Sequence, residues 1–259
     1  MPELPDVEGF RRHWNRHAAG ERVARVSAAR DMVRNTTPQG LGRLLKGKQL
    51  GEAGRLGKWL VCPADGAFLV LHFGMTGLLV SSEEEPERHP HDRLILSFAT
   101  GAELRYRNMR KLGGAWSAAG RRDLDVLFED VGPDALRVDA QRFVDMAARR
   151  RGGAKTALMD QRFLAGPGNL VVDETLWRAG IHPTKQLRAL GEGGLRELHT
   201  ALHGVLEESL PYGRVPARRS WLLGVRGSAG APCPRCGAPI KRTVVGGRTT
   251  YYCSRCQPP

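Results

Sequence analysis

The chain has 259 residues, enough for two compact domains of ordinary size or one large one. Its formal net charge is +13, from 40 Lys and Arg against 27 Asp and Glu, and Arg outnumbers Lys. An excess of guanidinium groups favours a polyanionic partner, whose phosphates or base edges accept paired hydrogen bonds. No apolar stretch approaches the roughly 20 residues of a membrane-spanning helix, and no charged-then-apolar leader opens the chain. We therefore expect a cytoplasmic protein with no membrane partner.

The first residues after Met1 are Pro2 and Glu3. Removal of Met1, which a small second residue such as proline generally permits, would leave Pro2 with a terminal secondary amine. Because an α-amine titrates at about 7.7–8.0, part of it is unprotonated near neutral pH and can attack an electrophilic carbon. Attack on a sugar C1′ would give an iminium. A proline at this position also protects a chain from peptidases, and these residues alone favour that simpler interpretation.

The first half of the chain has the pattern of an all-β domain. After a predicted helix from Val7 to His17, short apolar runs fill Val23 to Trp116 and are separated by turn-forming pairs such as Asp65-Gly66. This spacing predicts an antiparallel sandwich or barrel. We expect Cys62 to be a small buried residue of a strand, and the acidic segment 83–90 to be a disordered loop.

After Gly132-Pro133 the apolar residues follow a helical period. The clearest case is 195–206, where the apolar positions fall on one helical face. A Gly-rich linker, 224–232, follows this helical region. Three earlier helices are predicted over Ala140–Arg150, Lys155–Leu164 and Leu170–Ala179.

Four of the five cysteines form two Cys-x-x-Cys pairs: Cys233, Cys236, Cys253 and Cys256. The spacer between the pairs is close to that of structural zinc sites. Two such pairs complete a tetrahedron of thiolates and leave no open position, so we predict one structural Zn²⁺. Two disulfides are the alternative, which a cytoplasmic location disfavours.

Five separated segments occur together in the order and spacing of one family. The chain resembles, nearly end to end, the formamidopyrimidine-DNA glycosylase and endonuclease VIII family of bifunctional base-excision-repair enzymes. The segments are Pro2-Glu3-Leu4-Pro5, Gly57-Lys58-Trp59-Leu60, His72-Phe73-Gly74-Met75-Thr76-Gly77, Asp160-Gln161 with Gly166-Pro167-Gly168-Asn169, and the four cysteines.

The resemblance implies an α+β multidomain protein. Its parts would be an N-terminal antiparallel β-sandwich flanked by helices (1–131), a helix–two-turn–helix DNA-binding domain (132–224) and a C-terminal four-cysteine zinc finger (225–259). The implied partner is double-stranded damaged DNA, from which the damaged nucleotide is flipped out, and the implied protein is a monomer associated with the nucleoid.

The resemblance also assigns chemistry to particular residues. The Pro2 nitrogen displaces the damaged base and forms a Schiff base, after which the strand is cut by β,δ-elimination. Glu3 protonates the deoxyribose ring oxygen, and Lys58 contacts the phosphate beside the lesion and assists catalysis.

The remaining matched positions are implied DNA contacts. His72, Lys111, Asn169 and Arg248 correspond to phosphate contacts. Met75, Arg110 and Leu112 correspond to the side chains that fill the space left by the flipped base, and Lys155 to a lysine associated with oxidised purines. Read without the resemblance, His72 and Met75 are typical core residues, Asn169 is typical of a helix N-cap, and Lys155 belongs to a basic face with Arg150 and Arg151.

The chain departs from the family pattern at several places that concern the lesion. Leu112 stands where Phe is common, Asp6 stands where Glu is usual, and a common tyrosine two residues after Asn169 is missing. The stretch from Tyr212 to Cys233 is too short for the long loop that caps 8-oxoguanine.

Three hypotheses follow. The first is a glycosylase and abasic-site lyase acting on oxidised or ring-opened purines. The second is the same scaffold specialised for abasic sites, oxidised pyrimidines or bulky alkylated bases, with weak activity on 8-oxoguanine. The third is a non-catalytic damaged-DNA-binding protein, which the presence of Pro2, Glu3 and Lys58 disfavours.

Overall fold

The computed structural model describes residues 2–259; Met1, and with it the question of its removal, lies outside them. The chain forms two compact units, one of Pro2 with Asp6–Asp130 and one of Glu3–Pro5 with Val131–Pro259. Within the described residues, no helix is both long and apolar enough to cross a membrane.

The first unit is built from two antiparallel four-stranded sheets, with strand orders β1-β6-β7-β5 and β2-β3-β4-β8. Its elements are α1 (Leu4–His17, whose first two residues group with the second unit), β1 (Val23–Ala28), α2 (Pro38–Leu45), β2 (Gly54–Leu56), β3 (Trp59–Ala64), β4 (Ala67–His72), β5 (Leu78–Ser81), β6 (Asp92–Phe98), β7 (Glu103–Arg107), β8 (Gly114–Ala118) and α3 (Arg121–Leu127).

Both sheets contribute side chains to one core. In β3 every second residue is buried, including Leu60 and Cys62, and they share an apolar cluster with Leu94 and Leu96 of β6. Because successive strand residues point to opposite faces, this alternation places one face of each sheet inward. The predicted antiparallel sandwich is confirmed, and Cys62 is fully buried as predicted.

The acidic segment 83–90 is ordered, contrary to the prediction from its composition. The Arg105 guanidinium, 2 % exposed, lies beneath it and donates hydrogen bonds to the carbonyl oxygens of Glu85, Pro86 and Glu87 at 2.9, 3.0 and 2.7 Å. A buried cation needs such acceptors. The segment therefore closes over the end of β7 as a defined loop, which we call the acidic loop.

The second unit is helical with a small hairpin. Its elements are α4 (Ala140–Ala148), α5 (Ala154–Met159), α6 (Asn169–Arg178), α7 (Gly191–Ser209), β9 (Lys241–Val245) and β10 (Arg248–Tyr252), with short 3₁₀ helices at Leu187–Leu190, Leu210–Tyr212 and Leu222–Gly224. Helix α6 is central, since every residue from Val171 to Trp177 is buried.

The predicted helix Lys155–Leu164 ends early, at Met159. Asp160 has an extended backbone, and its carboxylate accepts a hydrogen bond from the Arg162 N–H at 3.0 Å. Aspartate side chains commonly form such local turns in place of helix. The residues that follow form the turn that leads into α6.

The four-cysteine module packs on α6 rather than standing apart from the helices. Trp177 of α6 shares an apolar cluster with Leu222, Ile240 and Tyr251 and with the cysteines. The β9–β10 hairpin turns at Gly246 and Gly247, which have φ of 56° and 72°, the two positive values of a two-residue hairpin turn.

Candidate functional site

The Glu3 carboxylate is buried at the start of α6. It is 1 % exposed; Oε1 accepts a hydrogen bond from the Leu170 N–H at 2.8 Å, and Oε2 accepts from Gly168 and Val171, each at 3.0 Å. The first N–H groups of a helix have no partner within the helix and favour an anion. The carboxylate that follows Pro2 is thus held at one fixed position by three backbone donors.

The Gly166-Pro167-Gly168 turn makes room for the start of the chain. A methyl group on Gly168 would lie 2.5 Å from Glu3 Oε1. Gly166 has φ of +120°, and its carbonyl oxygen accepts a hydrogen bond from Leu4 at 3.1 Å. Both glycines are therefore needed for close approach or for backbone conformation.

Asn169 is the first residue of α6, and the N-cap is Gly168, so the N-cap interpretation of this asparagine was wrong. Its Nδ2 donates to the Thr249 carbonyl oxygen at 3.0 Å. Arg248, the exposed residue before Thr249, opens β10. This bond ties the start of α6 to the strand that carries Arg248.

Lys155 is fully buried, which does not fit the predicted contact with DNA. Its Nζ lies 2.5 Å from Asp173 Oδ1 and donates to Thr250 Oγ1 at 2.8 Å. Burial lowers the pKa of Lys155 and raises that of Asp173, and the attraction between the two opposes both shifts. Arg226 Nε reaches the other oxygen of Asp173 at 3.2 Å. The buried side chain of Lys155, a residue of α5, therefore links that helix to α6 and β10 by hydrogen bonds.

Lys58 and His72 lie in the first unit, at the ends of neighbouring strands. Lys58 is 9 % exposed and precedes β3, and His72 ends β4 opposite Trp59. Burial first, and then the Lys58 charge, lower the pKa of His72 to about 4. His72 Nδ1 accepts from the Gly74 N–H at 3.3 Å. The neutral ring thus carries its proton on Nε2, as a donor.

Two loops, residues 73–77 and 108–113, carry Met75, Arg110 and Leu112, and we call them the insertion loops. Asn108, fully buried, joins them: Nδ2 donates to Tyr106 Oη at 2.7 Å and to the Phe73 carbonyl oxygen at 3.3 Å. Its Oδ1 accepts from Lys111 N at 2.9 Å and from Thr76 Oγ1 at 3.2 Å.

The insertion loops approach each other backbone to backbone. A methyl group on Gly74, whose φ is +59°, would lie 2.5 Å from Gly113 N. Arg34 Nη2 donates to the carbonyl oxygens of Lys111 and Gly113. These loops therefore have a defined backbone.

The insertion loops nevertheless present apolar side chains to solvent. Met75, Leu112 and Met109 are 36 %, 54 % and 60 % exposed, so the alternative that Met75 is a core residue was wrong. Arg110 is exposed, and Lys111 Nζ pairs with Asp31 at 2.5 Å. Exposed apolar side chains on a rigid support suit insertion between stacked bases.

Sequence reasoning missed several residues that hold these positions, namely Arg34, Asn108, Asp173 and Arg226. Asp173 carried a detectable signal, since an acid inside the apolar run of α6 requires a buried partner. Met109 was also missed, although a large apolar residue next to Arg110 is a detectable signal. Arg34, Asn108 and Arg226 gave no such signal.

The four cysteine sulfurs lie within 4.8 Å of one another. Sγ atoms of Cys233 and Cys256 are 3.9 Å apart, and those of Cys236 and Cys253 are 3.5 Å apart. Zn–S bonds of about 2.3 Å place the sulfurs of a tetrahedral site about 3.8 Å apart, so the four thiolates fit zinc. Trp177 Nε1 donates to Cys233 Sγ at 3.4 Å, an outer contact of the kind that orients a metal ligand.

Three segments match family profiles: residues 1–115 match the formamidopyrimidine-DNA glycosylase N-terminal domain, 131–219 the H2TH domain of the same enzymes, and 230–259 a zinc finger found in FPG and IleRS. The chain belongs to the formamidopyrimidine-DNA glycosylase family. The predicted family, fold class and structural zinc site are thereby confirmed.

Relatives of the family match over nearly their full length. The formamidopyrimidine-DNA glycosylase of Rhodococcus erythropolis is 34 % identical over 282 residues, covering 100 % of this chain and 97 % of its own. Lactococcus lactis Fpg, bound to DNA containing N7-benzyl-Fapy-dG, superposes with a TM-score of 0.88 at 30 % identity and full coverage of both chains. The same enzyme bound to abasic-site DNA gives 0.89 at 30 % identity, covering 99 % of this chain and 100 % of that one.

Proposed function

We propose that this chain is a base-excision-repair DNA glycosylase with abasic-site lyase activity. The observation that carries the proposal is the Glu3 carboxylate, fixed by three N–H donors at the start of α6 and adjacent in sequence to the Pro2 amine. In a simple DNA binder this carboxylate would only satisfy the first N–H groups of α6, whereas beside a terminal secondary amine it can also serve as an acid.

The proposed reaction uses the amine as nucleophile. Once Met1 is removed, the Pro2 nitrogen attacks C1′, the C1′–N bond to the base breaks, and the base leaves with a proton. Glu3 protonates the ring oxygen, which opens the sugar and leaves an iminium between proline and C1′. Loss of the 3′ and then the 5′ phosphate by elimination cuts the strand, and hydrolysis of the iminium frees the enzyme.

The DNA contacts are proposals of the same kind. Met75, Arg110 and Leu112 would occupy the space left by the flipped nucleotide. Lys58, His72, Lys111, Asn169 and Arg248 would contact phosphates, with the neutral His72 donating from Nε2. Lys155 acts in this proposal as a positioning residue for β10, through Thr250 and Asp173.

Oxidised or ring-opened purines are the proposed substrates, as in the relatives' name. A second candidate range covers abasic sites, oxidised pyrimidines and bulky alkylated bases, with weak activity on 8-oxoguanine. The stretch Tyr212–Cys233 favours it, because Trp221, Leu222 and Leu223 are buried and leave little chain to form a cap. The alignment with the Rhodococcus enzyme spans 282 residues against 259 here, so that relative carries segments that this chain lacks.

We further propose that the protein works as a monomer on the chromosome in the cytoplasm. The net charge of +13 supports association with nucleic acid.

Borohydride trapping on a duplex with a single abasic site tests the enzyme proposal. Wild-type protein of verified N-terminus should give a covalent adduct, and Pro2→Gly should give much less. Absence of an adduct with wild type, or an adduct that peptide mapping places at a residue other than Pro2, would contradict the proposed nucleophile. Binding of the same duplex without any adduct would instead identify a non-catalytic binder.

A panel of single-lesion duplexes separates the two substrate ranges. Excision of 8-oxoguanine as fast as abasic-site cleavage would exclude the specialised range. A much slower rate on 8-oxoguanine than on N7-alkylated formamidopyrimidines or abasic sites would support it.

A further inference from the structure

A cluster of two histidines and two acids lies in the first unit. His13 and His17 are four residues apart on α1 and therefore share one face; their side chains are 15 % and 10 % exposed. Glu83 and Glu84 of the acidic loop face them. None of the four belongs to the proposed reaction or DNA contacts.

The distances within the cluster suit metal ligands. Glu84 Oε1 lies 3.6 Å from His13 Nδ1 and 3.8 Å from His17 Nε2, and one ligand atom from each residue lies within 4.8 Å of the other two. Metal–nitrogen and metal–oxygen bonds of about 2.0–2.2 Å place neighbouring ligands of a tetrahedral ion about 3.3–3.6 Å apart. A small contraction of the cluster would therefore complete three coordination bonds.

The Nε2 atoms of both histidines are buried, and neither has a hydrogen-bond partner among the described residues. Buried polar nitrogens without a partner are uncommon, and each requires an explanation. For His17, an ion bound between Nε2 and Glu84 would supply the missing partner.

Glu83 supports this assignment from the other side of His17. Its Oε2 lies 3.3 Å from His17 Nδ1. A histidine ligand usually donates its second N–H to a carboxylate, which fixes the ring and leaves the other nitrogen as the ligand. Here that arrangement leaves Nε2 of His17 directed to Glu84.

We propose that His13, His17 and Glu84 form a second metal site, for a divalent transition ion of the Zn²⁺, Co²⁺ or Ni²⁺ class, with Glu83 as its outer support. Two imidazoles and a carboxylate suit such ions, and water would complete the coordination. Glu84 is 48 % exposed, which gives the ion a route in. The bound ion would fasten the acidic loop to α1, a role separate from the proposed glycosylase function.

The test is the metal content of tag-free protein whose cysteine site already holds zinc. After equilibration with micromolar Zn²⁺ and removal of unbound ion, wild type should carry two equivalents, and His13→Gln, His17→Gln and Glu84→Gln one each. The retained equivalent shows that a variant has kept its zinc finger. Co²⁺ added to the zinc-loaded protein should give ligand-field absorption without a sulfur charge-transfer band.

Two variants serve as controls. His203→Gln alters the His199–His203 pair of α7, which has the same spacing and ring centroids 4.1 Å apart. Among the described residues, neither histidine belongs to a group of side chains placed to hold a metal ion, so this variant should keep two equivalents. Glu83→Gln should weaken the second site about 10–100-fold. A single equivalent in wild type, or a second one that survives in all three ligand variants, would overturn the proposal.

Discussion

At the scale of single residues, backbone N–H groups hold the side chains of Glu3 and His72. Three of them hold the Glu3 carboxylate, and one, from Gly74, determines which nitrogen of His72 carries the proton. Backbone donors are part of secondary structure and do not reorganise as a reaction proceeds, which is the property that an electrostatically organised site requires.

Gly168→Ala should displace Glu3, because a methyl group would lie 2.5 Å from Oε1. A shift of about 1 Å in a reacting group costs on the order of 100-fold in rate. Single-turnover cleavage of an abasic duplex should slow by about that factor. Gly193→Ala is the matched control, since its methyl group would meet no atom within 4 Å, and it should react like wild type. A Gly168→Ala variant with the wild-type rate would show that the position of Glu3 is unimportant.

His72 should make the protein less stable in acid. Its pKa is about 4 in the folded chain and about 6.5 when unfolded, so between these values the unfolded chain binds a proton that the folded chain does not. The free energy of unfolding should fall as pH drops from 7 to 4, with His72 contributing about 3 kcal/mol of the loss. Urea unfolding at both pH values should show a correspondingly smaller loss for His72→Gln, and an equal loss in the two proteins would contradict this origin.

At the scale of elements, hydrogen bonds from one buried side chain join the two insertion loops, although their sequences alone give no sign of this connection. The two segments are 31 residues or more apart in sequence, yet Asn108 satisfies donors and acceptors from both. The backbones at Gly74 and Gly113 lie too close together to admit a side chain at either position. In the proposed complex with DNA, the exposed Met75 and Leu112 would act as wedges.

Asn108→Ala should loosen the insertion loops. The change leaves the Phe73 carbonyl, the Tyr106 hydroxyl and the Lys111 N–H without their partner in a buried place, at a cost of about 2–3 kcal/mol in stability. Affinity for an abasic duplex should fall as well. Met109→Ala, at an exposed position of the same loop, should change stability by less than about 0.5 kcal/mol. Equal stability of the two variants would show that Asn108 does not join the loops.

Features that are local in sequence were predictable. Short apolar runs separated by turn-forming pairs predicted the sandwich, the two Cys-x-x-Cys pairs predicted the zinc site, and the helical period after Pro133 predicted the helices. Features that depend on distant partners were not. Lys155 reads as a surface lysine until Asp173, 18 residues later, lies against it, and the acidic loop reads as disordered until Arg105 supplies a buried cation. The composition of a segment does not reveal whether it is ordered, because order can depend on hydrogen bonds to a residue far away in the sequence, here Arg105.

At the scale of the whole molecule, we expect net charge to contribute much of the affinity for DNA. The chain carries a net charge of +13, and cations bound at phosphates release counterions, so affinity should fall steeply with salt. The sequence-independent part of the affinity therefore depends on how many of these cations reach phosphate.

Arg248→Ala should reduce the slope of log K against log salt by about 1, because one phosphate contact is lost. Fluorescence anisotropy on an abasic duplex between low and moderate salt gives the slope. Arg121→Ala has the same charge change at a residue paired with Asp125 on the exposed helix α3, and its slope should match wild type. Equal slopes for all three proteins would remove Arg248 from the phosphate contacts.

The hydrogen bonds of Glu3 can form only late in the synthesis of the chain. Glu3 is made before its three donors, which lie at positions 168–171, 165 to 168 residues later. At about 5–20 residues per second, that interval is roughly 10–30 s. During that interval Glu3 has none of the three backbone donors that hold its carboxylate in the folded chain. The Glu3 carboxylate can therefore reach its buried position only after the start of α6 has been made, and in the proposed reaction a chain cut short before α6 would lack a positioned acid.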